Sequence, residues 1–374
     1  MGRAAFLALA IALAACASKP PVIFGERMPA GCTKTSRSER CFGWIFDRTL
    51  MAFAFKPYHD EQIRAYVASI GARIAMANHD KRRWTFRVLD DDIPQAYAGF
   101  NATIYITRGA LAILRDEAEL AAVIAHEMGH TIAGHHREAI AEMVRDVGET
   151  ELQKWRDLRY ARDDEIQADE QAVVFLARAG YDVNAVERML RALGGYEGGG
   201  DEDSSDDRHP VWRERIARAA ALATRHPAGE RAVERYNARV AALVIGEDPK
   251  SVAVLGTVAV FGRAGFAVEL PAETKSFVFR GMVMFVMPNE IVGTAQLIDR
   301  RFVKDLKNTN SHTEVKLVGD QALAITIVKD EKTKHADRIA KSLVAKSRTP
   351  RVEELARLHP VHFDPTKPRA IWAP

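Results

Sequence analysis

Between His59 and Asn78 the apolar positions Ile63, Tyr66, Val67, Ile70 and Ile74 recur at helical spacing and predict one stripe of an amphipathic helix. Trp84, Phe86 and Val88 then alternate with Thr85, Arg87 and Leu89, and Ile104 and Ile106 alternate with Thr103, Tyr105 and Thr107. These period-two runs, rich in β-branched and aromatic residues, predict two short strands. Asp116 with Glu119 three residues on predicts a helix start, and the absence of turn punctuation other than Gly129 and Gly134 predicts that this helix runs to about Val147. A second helix is expected over about Asp163 to Ala179, closed by Gly180 in a left-handed cap, and further ones at about Asn184 to Leu193, Arg213 to Thr224 and Glu230 to Val244. The stretch Gly194 to Asp207, GGYEGGGDEDSSDD, is glycine-rich and self-repelling and reads as a mobile loop. From Ser251 the texture changes to short strand candidates at Thr257 to Phe261, Phe277 to Phe279, Met282 to Met287, Glu314 to Val318 and Ala322 to Val328, followed by a helix around His335 to Ala345.

With 374 residues the chain is long enough for about two domains. The expected class is α+β: a mainly helical domain with a short β-sheet over residues 59–248, and a smaller α+β domain over 249–374. Residues 16–58 read as a tether and lead segment. Hydrophobic residues at 47% and charged residues at 28% exclude a disordered polymer and a multi-span membrane protein. The net charge of +3 argues against a dedicated nucleic-acid binder, although residues from Lys250 onward carry 20 basic against 13 acidic side chains. At the N-terminus Arg3 precedes an apolar run from Ala4 to Ala15, too short for a bilayer span of about 20 residues and ending in Leu13-Ala14-Ala15-Cys16. Small residues directly before a cysteine resemble the lipobox of bacterial lipoproteins, which implies a signal peptide over 1–15, lipidation of Cys16 and, with Ala17 following it, routing to the outer membrane. An ordinary secretory signal is the competing reading. Cys32 and Cys41 remain as an even pair nine positions apart, suited to a disulfide in an oxidising compartment and otherwise two free thiols.

The chemistry centres on His126-Glu127-Met128-Gly129-His130. Two histidines four apart on a helix are about 400° apart, so both imidazoles share one face and can reach one metal ion. Glu127, rotated by about 100°, stands beside a metal-held water rather than on the metal. Leu120, Ile124, Met128 and Ile132 form a row roughly opposite, which predicts a helix buried on one side and chemical on the other. A catalytic zinc site has three protein ligands and an open position. His136 is one option for the third; it occupies the place a metzincin pattern requires, but Ala133 stands where that pattern has glycine, and on a continuous helix His136 points away. Glu165 is the other option, with Asp169 on the same helical face to orient a ligating histidine; a solvated acidic face is the alternative for this pair. Two core histidines satisfied by hydrogen bonds would be the non-metal reading.

HEMGH followed by EIQAD resembles the gluzincin metallopeptidases that include the CAAX prenyl endopeptidase, HtpX and the periplasmic β-barrel assembly-enhancing protease. The similarity covers about His59 to Val244. Ile104 to Gly109 looks like the strand before the zinc helix, Ala177 to Asp182 like the end of the second ligand helix, and His209-Pro210 with Arg215 like an HPxxxxR element near the zinc cleft. Gln95 to Ala102 departs from the family pattern at the cleft edge. The resemblance implies one zinc per chain on His126, His130 and Glu165, with Glu127 as general base and Asp169 behind a ligand. His209 and Arg215 are candidate oxyanion donors, and His209 is alternatively a plug on the metal. The exposed edge of the Thr103 to Thr107 strand is expected to pair with extended, unfolded or misfolded polypeptide, in a protein-quality-control role. The expected protein is a lipid-anchored periplasmic zinc endopeptidase that contacts the membrane through its lipid and binds no nucleic acid. A latent or chaperone-like zinc lipoprotein with a plugged site is the alternative.

Overall fold

A computed structural model describes residues 22–23, 26–32, 38–53, 55–135, 161–196, 212–279, 281–300, 303, 312–318, 321–328 and 335–364. The fold is α+β. Its helices, in chain order, are α1 (Glu39–Phe53), α2 (Glu61–Ala77), α3 (Arg108–Ile113), α4 (Glu117–Ala133), α5 (Arg162–Ala179), α6 (Ala185–Tyr196), α7 (Trp212–Ala223), α8 (Val233–Val240), α9 (Ala336–Ala345) and α10 (Val352–Leu355). After a small β1–β2 ribbon (Val22–Ile23, Glu26–Arg27), strands β3 (Thr85–Leu89), β4 (Ala96–Ala98) and β5 (Thr103–Thr107) form a sheet in the order β3-β5-β4. β5 lies between a parallel β3 and an antiparallel β4.

The predicted stripe of α2 is its buried face: Ile63, Val67, Ile70 and Ile74 pack with Ile104 and Ile106 of β5, Leu120 and Ile124 of α4, and Val173 and Leu176 of α5. Asp60 caps α2 by accepting the N–H groups of Gln62 and Ile63. The expected lead segment is not a simple tether. Cys41 to Phe53 lies within α1, whose Phe46 and Leu50 pack against Leu89, Phe100 and Tyr105, while Asp47 accepts two 2.6 Å bonds from Arg87 and one of 2.8 Å from the Tyr105 hydroxyl. The structure joins Cys32 to Cys41, both buried, so the bond ties the preceding turn to the start of this helix. Residues 1–15, expected to be a signal peptide, and Cys16, the expected lipidation site, lie outside the described residues.

Beyond β6 (Val244–Ile245), strands β7 (Ala253–Leu255), β8 (Val258–Phe261) and β9 (Phe266–Glu269) form a sheet completed by β15 (Ser347–Arg348). β10 (Lys275–Phe279), β11 (Met282–Met287), β12 (Ile291–Asp299), β13 (His312–Val318) and β14 (Gln321–Ile327) form a second, antiparallel sheet in the order β10-β11-β12-β14-β13. Val283, Phe285, Leu323, Ile325 and Ile327 bury one face of it with Ala340 and Leu343 of α9 in a second core. The tail then returns: β16 (Val361–His362) pairs with β6, and Phe363 joins the first core.

Candidate active site

The first core exists around α4. Asp116 accepts the Glu119 N–H at 2.8 Å and so caps the helix, while the Glu119 carboxylate takes the Arg115 N–H at 2.8 Å. Three acids at this positive helix end, Asp116, Glu117 and Glu119, are held by Arg188, Arg231 and Arg235, with Tyr66 and Tyr181 donating to Glu117 at 2.7 Å. Every residue from Glu117 to Thr131 is buried, so the expected division into a buried and a chemical face is corrected: the chemical face is covered too, by α5. Gly129 makes that approach possible, since a Cβ there would stand 3.3 Å from Ala168. The helix ends at Ala133, well short of Val147, because Gly134 adopts φ +79° and closes it in a left-handed cap. Residues beyond His135 up to 160 lie outside the described residues, His136 among them. Helical angles counted from His130 therefore stop at Gly134 and do not place His136.

Three side chains converge. His126 Nε2 lies 3.0 Å from His130 Nε2, and the Glu165 carboxylate oxygens stand 3.5 and 3.7 Å from those same nitrogens. Ligand atoms on a tetrahedral ion with bonds of about 2.0–2.1 Å are roughly 3.3 Å apart, so the spacing and the two-imidazole, one-carboxylate donor set fit zinc. Behind the trio, His126 Nδ1 stands 2.9 Å from Asp169 Oδ1, in an ion-pair contact rather than an aligned hydrogen bond. Arg215, on α7, donates from Nε and Nη2 to Asp169 at 2.7 and 2.9 Å, and its Nη1 lies 2.9 Å from Glu165. The structure therefore places Arg215 on the two carboxylates, bridging Asp169 and Glu165. Trp212 lies under the guanidinium, 5.0 Å from ring centre to Cζ, and is seated against Gly194. Gly194 and Gly195, expected in a mobile loop, belong to α6; 197–211, with His209, lie outside the described residues.

Glu127 is buried beside this cluster. Burial pushes its carboxyl up to about 7, with His126 opposing and Glu165 reinforcing the rise, while the Ala98 N–H donates to it. Ala98 belongs to β4, and this corrects the expected edge. β5 is paired on both sides and wholly buried; β4 is the edge strand facing the site. Gly99 N–H bonds Thr103 O and Thr107 N–H bonds Gln95 O, so by antiparallel alternation the backbone groups of Ala96 and Ala98 point away from β5. His135, directly after the Gly134 cap, is not among the residues that the sequence pattern brings to the site. The structure brings its Nδ1 to 2.8 Å from His130 Nδ1 and its Nε2 to 2.8 Å from Gln167 Oε1. The signal for it was Gly134, read only as an interior glycine.

Residues 57–148, spanning this helix and its strands, match the model of peptidase family M48. The segment is an M48 peptidase domain. Relatives extend the likeness beyond it. A Vibrio cholerae serotype O1 protein provisionally named a beta-barrel assembly-enhancing protease is 26% identical over 191 residues, 44% of this chain and 39% of its own length. The mitochondrial metalloendopeptidase OMA1 of Schizosaccharomyces pombe is 23% identical over 195 residues, 48% of this chain and 52% of its own. A protease HtpX homolog of Acidiphilium cryptum is 36% identical over 106 residues, 27% of this chain and 35% of its own. The chain thus spans about two fifths to half of the length of the first two relatives. Among the described residues no helix is long and apolar enough to cross a membrane.

Proposed function

We propose that this chain is a lipid-anchored zinc metalloendopeptidase of the bacterial envelope that cleaves unfolded or unassembled polypeptides. The observation that carries the reading is the convergence of His126, His130 and Glu165 with the Glu127 carboxylate beside them. His126 and His130 would hold the ion through Nε2 and Glu165 through its carboxylate, while Asp169 and Arg215 fix the orientation of His126 and Glu165. When bound, zinc supplies Lewis acidity toward a peptide carbonyl and acidifies water. Glu127 accepts a proton from the attacking water and delivers it to the leaving amine, a role suited to a carboxyl whose pKa lies near neutrality.

Substrate class follows from β4. The backbone groups of Ala96 and the Ala98 carbonyl, directed away from β5, offer a strand edge to an extended chain, and only an unfolded segment presents one. The envelope location is supported by the lipobox-like Leu13-Ala14-Ala15-Cys16 and by the relatives named for β-barrel assembly. The test compares one polypeptide in reduced, unfolded form with the same polypeptide folded. The unfolded form should be cut, chelation should stop cleavage and one equivalent of zinc should restore it. Equal cutting of both forms would contradict the substrate class, and a zinc-loaded protein that cuts neither would contradict the peptidase reading.

A further inference from the structure

Gly134 does more than end α4. On an uninterrupted helix the residue five after His130 would point about 140° away and sit about 7.5 Å further along the axis. The left-handed turn instead folds His135 back, its N–H donating to His130 O at 3.1 Å and its ring meeting the His130 ring nearly edge-on, with centroids 5.0 Å apart. The two Nδ1 atoms are 2.8 Å apart, and such a contact is a hydrogen bond only when one nitrogen carries the proton and the other a lone pair.

The metal-site geometry decides which. His130 turns Nε2 toward His126 and Glu165, so Nε2 carries the ligating lone pair and the proton of the neutral ring lies on Nδ1. His135 then accepts at Nδ1 and keeps its own proton on Nε2, where the Gln167 carbonyl oxygen receives it at 2.8 Å; Asp164 Oδ1 stands further off, at 3.4 Å. Each link sets the next. We propose that His135 is the positioning residue for the ligand His130, a chain from His130 Nδ1 through His135 to Gln167 fixing the tautomer and ring plane of that ligand. This rests on the reading that His126, His130 and Glu165 hold zinc. The two histidines are thereby supported differently: Asp169 with Arg215 behind His126, an uncharged imidazole and amide behind His130. An uncharged support adds no further anion to a site where Glu127, Glu165 and Asp169 already gather.

The test uses the full chain, zinc affinity by competition with a chromophoric chelator, and the visible absorption of the cobalt-substituted protein. His135→Leu removes the acceptor, and His135→Asn returns an amide oxygen near the place of Nδ1. His135→Leu is expected to weaken zinc binding about 10- to 100-fold and to alter the cobalt bands, with His135→Asn recovering most of both. Gln167→Leu, at an exposed helix position that leaves folding intact, should shift both readouts in the same direction by less. Zinc binding by His135→Leu within about threefold of wild type, with unchanged bands, would overturn the proposal alone. So would His135→Asn behaving no better than His135→Leu. A wild-type chain that takes up no zinc would overturn it together with the metal-site reading.

Discussion

Arg215 meets Asp169 through two bonds and approaches Glu165 with a third nitrogen, and Asp169 is only 2% exposed. Burial alone would raise the Asp169 pKa, but the hydrogen bonds from Arg215 and the close approach of His126 more than reverse this and hold the carboxyl below its ordinary range. Removing the guanidinium leaves the buried Asp169 carboxylate and the partly buried Glu165 carboxylate without their shared cation. Arg215→Met is therefore expected to destabilise the metal-free protein by about 3–5 kcal/mol in urea titrations. A loss under about 1 kcal/mol would mean that the carboxylates find other partners. The spacing of His126, His130, Glu165 and Asp169 was legible because helical periodicity alone puts i and i+4 on one face. Arg215 was named only through its resemblance to an HPxxxxR element, as an oxyanion donor rather than a partner of Asp169 and Glu165, and His135 was given no role. The first sits in a helix whose sequence reads as a charged surface, and the second reaches its partner through a left-handed residue that no periodicity encodes.

At the scale of elements, the site is as rigid as the mounting of α4. The buried acids at its start reach α6 through Arg188 and α8 through Arg235, so the motif helix is fixed at the end away from the histidines. Burial would raise Glu117, but bonds from Arg235, Tyr66 and Tyr181 leave it below the usual carboxylate range. A carboxylate depressed in the folded state contributes stability that is fully present above its unfolded pKa of about 4.3 and is lost as the pH falls toward the lower folded value. Glu117→Gln should accordingly cost roughly 1–3 kcal/mol at neutral pH and lose stability less steeply than wild type between about pH 5 and 3. Thermal melts across that range check it, and parallel curves would contradict it. The helices α2, α5 and α7 and strands β3, β5 and β11 could be placed from sequence by helical spacing, cap residues or short runs of β-branched and aromatic residues, although β5 is buried on both faces. β4 is three residues of Ala-Tyr-Ala, too short for a period, and β12 is interrupted by Gly293, which seats the Phe285 ring. The edge strand was missed for that reason, and the wrong strand took its place.

Over the whole molecule, the two largest cores among the described residues lie around α4 and beneath the β10-β11-β12-β14-β13 sheet, with Phe363 carrying the tail back to the first. The change of texture near Glu247 marked the second core, whereas the return of the tail had no local signal because β16 is two residues long. The proposed anchor lies at the other end of the chain. Cys16→Ser is expected to move the protein from the membrane fraction to the soluble one in its bacterial host while zinc-dependent cleavage persists; an unchanged distribution would contradict lipid anchoring. The central claim is that three ligands hold one zinc and that Glu127 does the proton work. Its most direct measurement is zinc content and unfolded-polypeptide cleavage for wild type and Glu127→Gln side by side. The account expects one zinc in each and cleavage reduced by at least about 10²-fold in the variant. Equal cleavage by both, or a wild-type chain without zinc, would contradict it.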